Sequence, residues 1–229
     1  MARLLLEVIA LTVDDARAAA EGGADRLEIV RDIRQGGLTP PLELVRDIAA
    51  AVPLPLRVMV RENAGYELHS TELAALRTAV DEFAAAGVDG LVIGYARDGK
   101  LALDDVKRVL DEAPEMRATF HRAFDSLVDP LAAIDAIARV PQIDRILTSG
   151  GEGTAAQRCE RLRAYGERAG ARLTIIAGAG VDDGMLADIV RTGCVAEAHV
   201  GRAAREGNDP EGRVSVARVR HLRALADGR

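Results

Sequence analysis

The chain has no tryptophan, only three phenylalanines and three tyrosines, and just two cysteines among its 229 residues. So few rings exclude a core built on large aromatics. With 48% hydrophobic residues, the interior has to be filled by Ala, Val, Leu and Ile, the usual filling of a parallel sheet under helices. Cys159 and Cys194 form no CxxC pair, so they read as reduced thiols of a cytoplasmic protein rather than a disulfide framework or a zinc cluster. Basic residues are not in excess, Lys+Arg 30 against Asp+Glu 36. Without a basic run, and with few rings to stack on bases, a nucleic-acid partner is not expected. No apolar run approaches the roughly 20 residues that span a bilayer. Glu7 interrupts Leu4-Leu5-Leu6 well before a secretory core of about 7–15 apolar residues could form. The expectation is a cytoplasmic protein with neither membrane nor nucleic-acid partners.

What is present is alternation. Short β-prone runs at Leu4–Ile9, Arg26–Val30, Leu56–Val60, Leu91–Ile93, Met116–Phe120, Arg145–Thr148, Leu173–Ile176 and Ala196–Val200 are each followed by a helical stretch. Such βα alternation demands a parallel sheet. Eight units in this length fit the α/β class and a closed (β/α)8 TIM barrel with parallel strands, a single domain over residues 1–229. An open doubly wound sheet is the second choice. Asp25, Asp89 and Asp144 stand just before the second, fourth and sixth strands, a device repeated every second unit.

In a barrel, reactive groups come from the C-terminal ends of the strands and the loops after them. The stretch Thr119-Phe120-His121-Arg122-Ala123-Phe124-Asp125 puts an imidazole, a guanidinium and a carboxylate at one such end. The period of two along a strand puts Glu7, Glu28, Arg61, His121 and His199 on the inward face near one mouth, with Arg26 a layer deeper and able to neutralise a glutamate. Glu7, Glu28 and Arg26 could equally form only a buried ion-pair network, which an interior tolerates when the charges are paired. Glycines follow the last strands at Gly178, Gly180 and Gly201, and Thr148-Ser149-Gly150-Gly151 follows the sixth. These loops either seat an anion on open backbone or simply make tight turns.

As chemistry, the set suits a small polar, anionic ligand. The candidate catalytic residues are Glu7, Glu28, His121 and Asp125, with Glu7 or Glu28 as general base and His121 as acid or electrophile. Arg26, Arg61, Arg122, Ser149, Gly178, Gly180, His199 and Gly201 are the candidate binding residues. Isomerisation, epimerisation or lyase chemistry beside a carbonyl would fit a sugar or hydroxy acid.

These segments in this order, Leu6-Glu7-Val8, Gly22-Gly23-Ala24-Asp25-Arg26-Leu27-Glu28, Gly36-Gly37-Leu38-Thr39-Pro40, Val58-Met59-Val60-Arg61, the His121 stretch and Arg145-Ile146-Leu147-Thr148-Ser149-Gly150-Gly151, resemble the CutC family. The resemblance implies a cytoplasmic TIM barrel, commonly homo-oligomeric, linked to copper homeostasis and proposed to bind Cu(I). The family's two usual cysteines are replaced here by Ile9 and Val30, which leaves His121, His199 and the carboxylates as the metal ligands the resemblance implies, a set better suited to a harder divalent ion than to Cu(I).

Overall fold

A computed structural model describes residues 3–229. Its strands are β1 (Leu5–Ala10), β2 (Arg26–Ile29), β3 (Leu56–Met59), β4 (Gly90–Ile93), β5 (Ala96–Arg97), β6 (Lys100–Leu101), β7 (Arg117–Phe120), β8 (Ile143–Thr148), β9 (Thr174–Ala177) and β10 (Glu197–Val200). Eight of them close a ring in the order β1-β10-β9-β8-β7-β4-β3-β2, each neighbour pair parallel. The pairing of β1 with β10, in which Glu7 faces His199, closes it, so the sheet is a TIM barrel and the open doubly wound arrangement is excluded. The remaining strands, β5 and β6, form a small antiparallel hairpin after β4 that the alternation did not suggest.

Between the strands run helices whose ends follow from local chemistry. Helix α1 (Val13–Gly22) starts where the Thr12 side chain accepts from the Asp15 amide, and ends at Gly23 with φ 96°, a left-handed residue that favours glycine. Helix α6 (Ala155–Ala169) opens on a capping box between Thr154 and Gln157, which satisfies two otherwise orphaned donors.

The interior divides into two zones. Leu6, Val8, Leu27, Ile29, Val58, Leu91 and Phe120 face the helices in one continuous core, where each fully buried side chain contributes about 1.5–3 kcal/mol. Inside the ring the only apolar cluster among the described residues is Val30, Met59 and Val92, with Ile9 and Leu11 against it. Leu147 adds an apolar side chain at the mouth, and the buried charged groups Glu7, Arg26, Glu28, Arg57 and Glu197 fill much of the rest, which is what positions the site. The aspartates before alternate strands explain its floor. Asp25 accepts from the Leu6 amide at 2.8 Å, while Asp89 and Asp144 together hold the buried Arg57 guanidinium. Strand β8 begins at Ile143, two residues earlier than its apolar run suggests, because Ile143 pairs with Ala118 while Asp144 bulges out between the Ala118–Ile143 and Thr119–Arg145 pairs.

Candidate functional site

From that floor a chain of alternating charge climbs the lumen. Arg57 chelates Asp144, Asp144 also accepts from Arg145 at 2.5 Å, and Arg145 Nε donates to Glu197 at 3.0 Å. Arg26 then donates to Glu197 at 2.6 Å and, through Nε, to Glu7. The other oxygen of Glu7 receives the Nδ1–H of His199 at 2.7 Å. Finally His199 Nε2 lies 3.5 Å from Glu28 Oε2. Register builds the chain: Glu7 is level with Arg26 on β2 and with His199 on β10, so inward side chains of three adjacent strands meet.

The two glutamates end up with opposite electrostatics. Burial pushes the Glu7 carboxyl up, but the Arg26 guanidinium and the bond from His199 outweigh it and hold Glu7 well below the usual carboxylate range. Glu28 has no such partner. Burial lifts it to about 7, against the pull of His199 and with the push of Glu7. Its Oε1 is buried without a hydrogen bond. His199 is itself raised, because Glu28 and Glu7 overcome the cost of its burial.

His121 is the converse. It is 3% exposed, and burial, reinforced by the Arg61 charge, lowers it to about 3. Its Nδ1 accepts the Ala123 amide at 3.2 Å, so the neutral ring carries its proton on Nε2, which has no partner. Tyr66 packs on the ring with centroids 5.6 Å apart, and Arg61 lies 5.5 Å from the Tyr66 centroid. The back of the imidazole rests on Gly94, where a Cβ would come within 2.7 Å of Nδ1. Gly94→Ala is therefore expected to leave the fold intact but tilt His121 off the Ala123 amide. A misplacement of that size costs about a hundredfold in rate, to be read by comparing turnover with melting temperature.

A pocket of about 550 Å³ opens over this arrangement, within the range of small-molecule sites. Of the sequence-derived candidates, Glu28, Arg61, His121, Arg122, Gly180, His199 and Gly201 line it. Glu7 and Arg26 lie below as the ion-paired base, so the buried-network alternative holds for them and not for Glu28. Asp125 is not among the lining residues. It accepts from Thr148 Oγ1 at 2.5 Å and from the Ser149 amide at 3.1 Å, pinning the loop after β8, and also pairs with Arg122. Ser149 Oγ accepts the Gly151 amide. Gly178 serves close packing, since a Cβ there would strike Leu147 Cδ1 at 2.4 Å.

Tyr66, Met59 and Leu147 line the pocket without having been singled out. Tyr66 had one usable signal, a scarce aromatic in the loop after a strand. Glu197 shares the His199 face of its strand by the same period of two, and Arg145 is a further link that this periodicity could have placed. Among the described residues no three His, Cys, Asp or Glu side chains are grouped as a metal cluster, and no helix is long and apolar enough to cross a membrane. Both cysteines are buried in the outer core, away from the pocket, so its donors do not fit the thiolate preference of Cu(I).

The closed parallel ring with polar groups at the C-terminal mouth defines a TIM-barrel protein with a small-molecule-sized site. The CutC family model matches residues 4–204, and the chain belongs to the CutC family. A CutC family protein of Caulobacter vibrioides is 38% identical over 199 residues, covering 86% of this chain and 80% of that one. The human copper homeostasis protein cutC homolog is 30% identical over 197 residues, 85% of this chain and 72% of that one. In structure, the chain is similar to the putative copper homeostasis protein CutC of Streptococcus agalactiae, with a TM-score of 0.79, 21% identity and coverage of 86% and 97%. That likeness bears on the fold.

Proposed function

We propose that the pocket performs acid–base chemistry on a small anionic compound bearing a carbonyl or a carboxylate, as an isomerase, epimerase or lyase. The carrying observation is the set of buried atoms without partners in one pocket, Glu28 Oε1 and His121 Nε2, with Arg61 Nε beside them. Buried polar atoms are normally hydrogen-bonded, and here each has the protonation state its role requires. Glu28, at about 7, is poised to take a proton from the carbon beside the carbonyl. The electron pair of that C–H bond moves onto the carbonyl oxygen, where the neutral Nε2–H of His121 can stabilise the developing charge. Returning the proton to a neighbouring carbon or the opposite face gives isomerisation or epimerisation, and atoms balance without a co-reactant. Arg61 supplies positive charge toward the same oxygen. The test is deuterium incorporation from D2O into a panel of short hydroxy acids, keto acids and sugars. Incorporation at the carbon beside the carbonyl supports the reading, and its absence across the panel refutes it.

A copper role comes from the names of relatives. The donors facing the pocket include the two imidazoles, the Glu28 and Asp182 carboxylates, the Asn208 amide and the Met59 thioether, a set that suits a harder divalent ion better than Cu(I). Titration of Cu(I) against a competing chelator is expected to give the same weak affinity for the native chain and for the His121→Ala, His199→Ala double variant. Clearly tighter binding by the native chain would put copper handling first.

A further inference from the structure

The acid–base groups occupy only one side of the pocket. The other side is formed by the loops after β9 and β10, where Ala179, Gly180, Gly201 and Arg202 reach the lining. The orientation of the first loop is imposed from outside. Arg158, on α6 in the helical layer, donates to Ser149 O at 2.7 Å, Gly178 O at 3.1 Å and Ala179 O at 2.8 Å. In a trans peptide the C=O and the following N–H point opposite ways, and the chain contains no cis bond. Pulling the Gly178 and Ala179 carbonyls outward therefore turns the amides of Ala179 and Gly180 toward the lumen. Ala179 itself takes φ 52° and Gly180 φ 71°, a left-handed pair that the loop maintains under the Arg158 clamp.

The amides of Ala179, Gly180, Val181, Gly201 and Arg202 make no hydrogen bond to any described residue. The Arg202 guanidinium, exposed at the rim, forms no ion pair with any described residue. The acid at this edge, Asp182, is already committed, its Oδ1 accepting the Met185 amide at 2.9 Å as the cap of helix α7 (Asp183–Thr192). Buried polar side chains without partners, Glu28 and His121, face the same space.

We infer that the loops after β9 and β10 form a seat for a phosphate group, and that the substrate is a phosphate monoester of a short hydroxycarbonyl compound. The inference rests on the acid–base reading for the reacting end, while the seat itself stands on the backbone geometry. Five unpaired loop amides, two of them turned toward the lumen, and a free guanidinium exceed what a carboxylate can use but match a phosphate, whose three terminal oxygens accept strongly from both kinds of donor. Glu28 and His121 then act on the carbons held between the seat and the Tyr66 side of the pocket.

Isothermal titration of the full chain with inorganic phosphate tests the seat. Saturable binding is expected, competed by sulfate and not by acetate, and weakened about tenfold or more in Arg202→Glu, whose exposed position spares the fold. Arg220→Glu, an exposed charge reversal outside the pocket lining, is expected to bind phosphate as the native chain does. No phosphate binding, equal binding in Arg202→Glu, or equal competition by acetate would each overturn the seat. Phosphate binding without deuterium exchange on any phosphorylated compound would leave the seat standing and remove the acid–base reading. Exchange on unphosphorylated acids without phosphate binding would do the reverse.

Discussion

Replacing Glu28 by glutamine is expected to reduce proton exchange on a turned-over substrate by about 10²–10⁴-fold, the usual worth of a positioned general base. The amide keeps the size of the carboxyl but cannot accept a proton from carbon. In the native chain the rate is expected to rise as pH passes through about 7, where Glu28 ionises, and then to level off. His121, lowered to about 3, stays neutral throughout that window and adds no second limb there. Stability should move the other way. Glu28 has its folded pKa raised, so between about 4.5 and 7 the folded chain holds a proton that the unfolded chain has released. Folding is then disfavoured progressively as pH rises across that interval. Glutamine removes this slope, so Glu28→Gln is expected to melt higher than the native chain at pH 8 while turning over far more slowly. Full activity with an unchanged pH profile would show that Glu28 is not the base.

Replacing Arg26 by methionine is expected to be the most destabilising single change in the lumen. Arg26 joins Glu7 to Glu197 in the barrel interior, all three side chains being buried. Removing the cation leaves Glu7 with only His199 and Glu197 with only Arg145 as partners, and breaking a buried pair in this way costs about 3–5 kcal/mol, or roughly 6–20 °C in melting temperature for a chain of this size. The sign with pH is definite. The folded pKa of Glu7 is depressed, so its contribution is present above the unfolded value near 4.5 and is lost on acidification. The gap between native and Arg26→Met should therefore be widest near neutrality and narrow as pH falls below about 4.5. Adding Glu7→Gln to Arg26→Met should recover part of the loss, since the buried carboxylate that has lost its guanidinium is then neutral. A native-like melting temperature for Arg26→Met would mean that the ion-pair chain contributes nothing to the fold.

The two replacements separate parts of one structure that look alike in the sequence. Glu7 and Glu28 both sit at inward positions of neighbouring strands, and the period of two along β1 and β2 is enough to place both in the lumen. Their neighbours differ. Glu7 is level with Arg26 and His199 across the ladders, whereas Glu28 is level with Ile9 and Arg57, and Arg57 is already held by Asp89 and Asp144 below. One glutamate is thus a structural anion and the other a titratable group with a free oxygen.

By itself the sequence determined the ring of parallel strands, through strand–helix alternation, and the inward face of each strand, through side-chain period. It also determined the family, and it was sufficient to bring Glu28, Arg61, His121 and His199 to one mouth. Only the tertiary structure decided which of those charges neutralise one another. It moved Asp125 and Ser149 from the expected site into the support of a loop, brought Tyr66 in from a loop without periodicity, and turned the Ala179 and Gly180 amides inward through Arg158. The physical reason is that strand period is a local property of the backbone. The partner of a buried charge depends instead on register between strands far apart in the chain, and on guanidinium groups that reach several ångströms across the barrel.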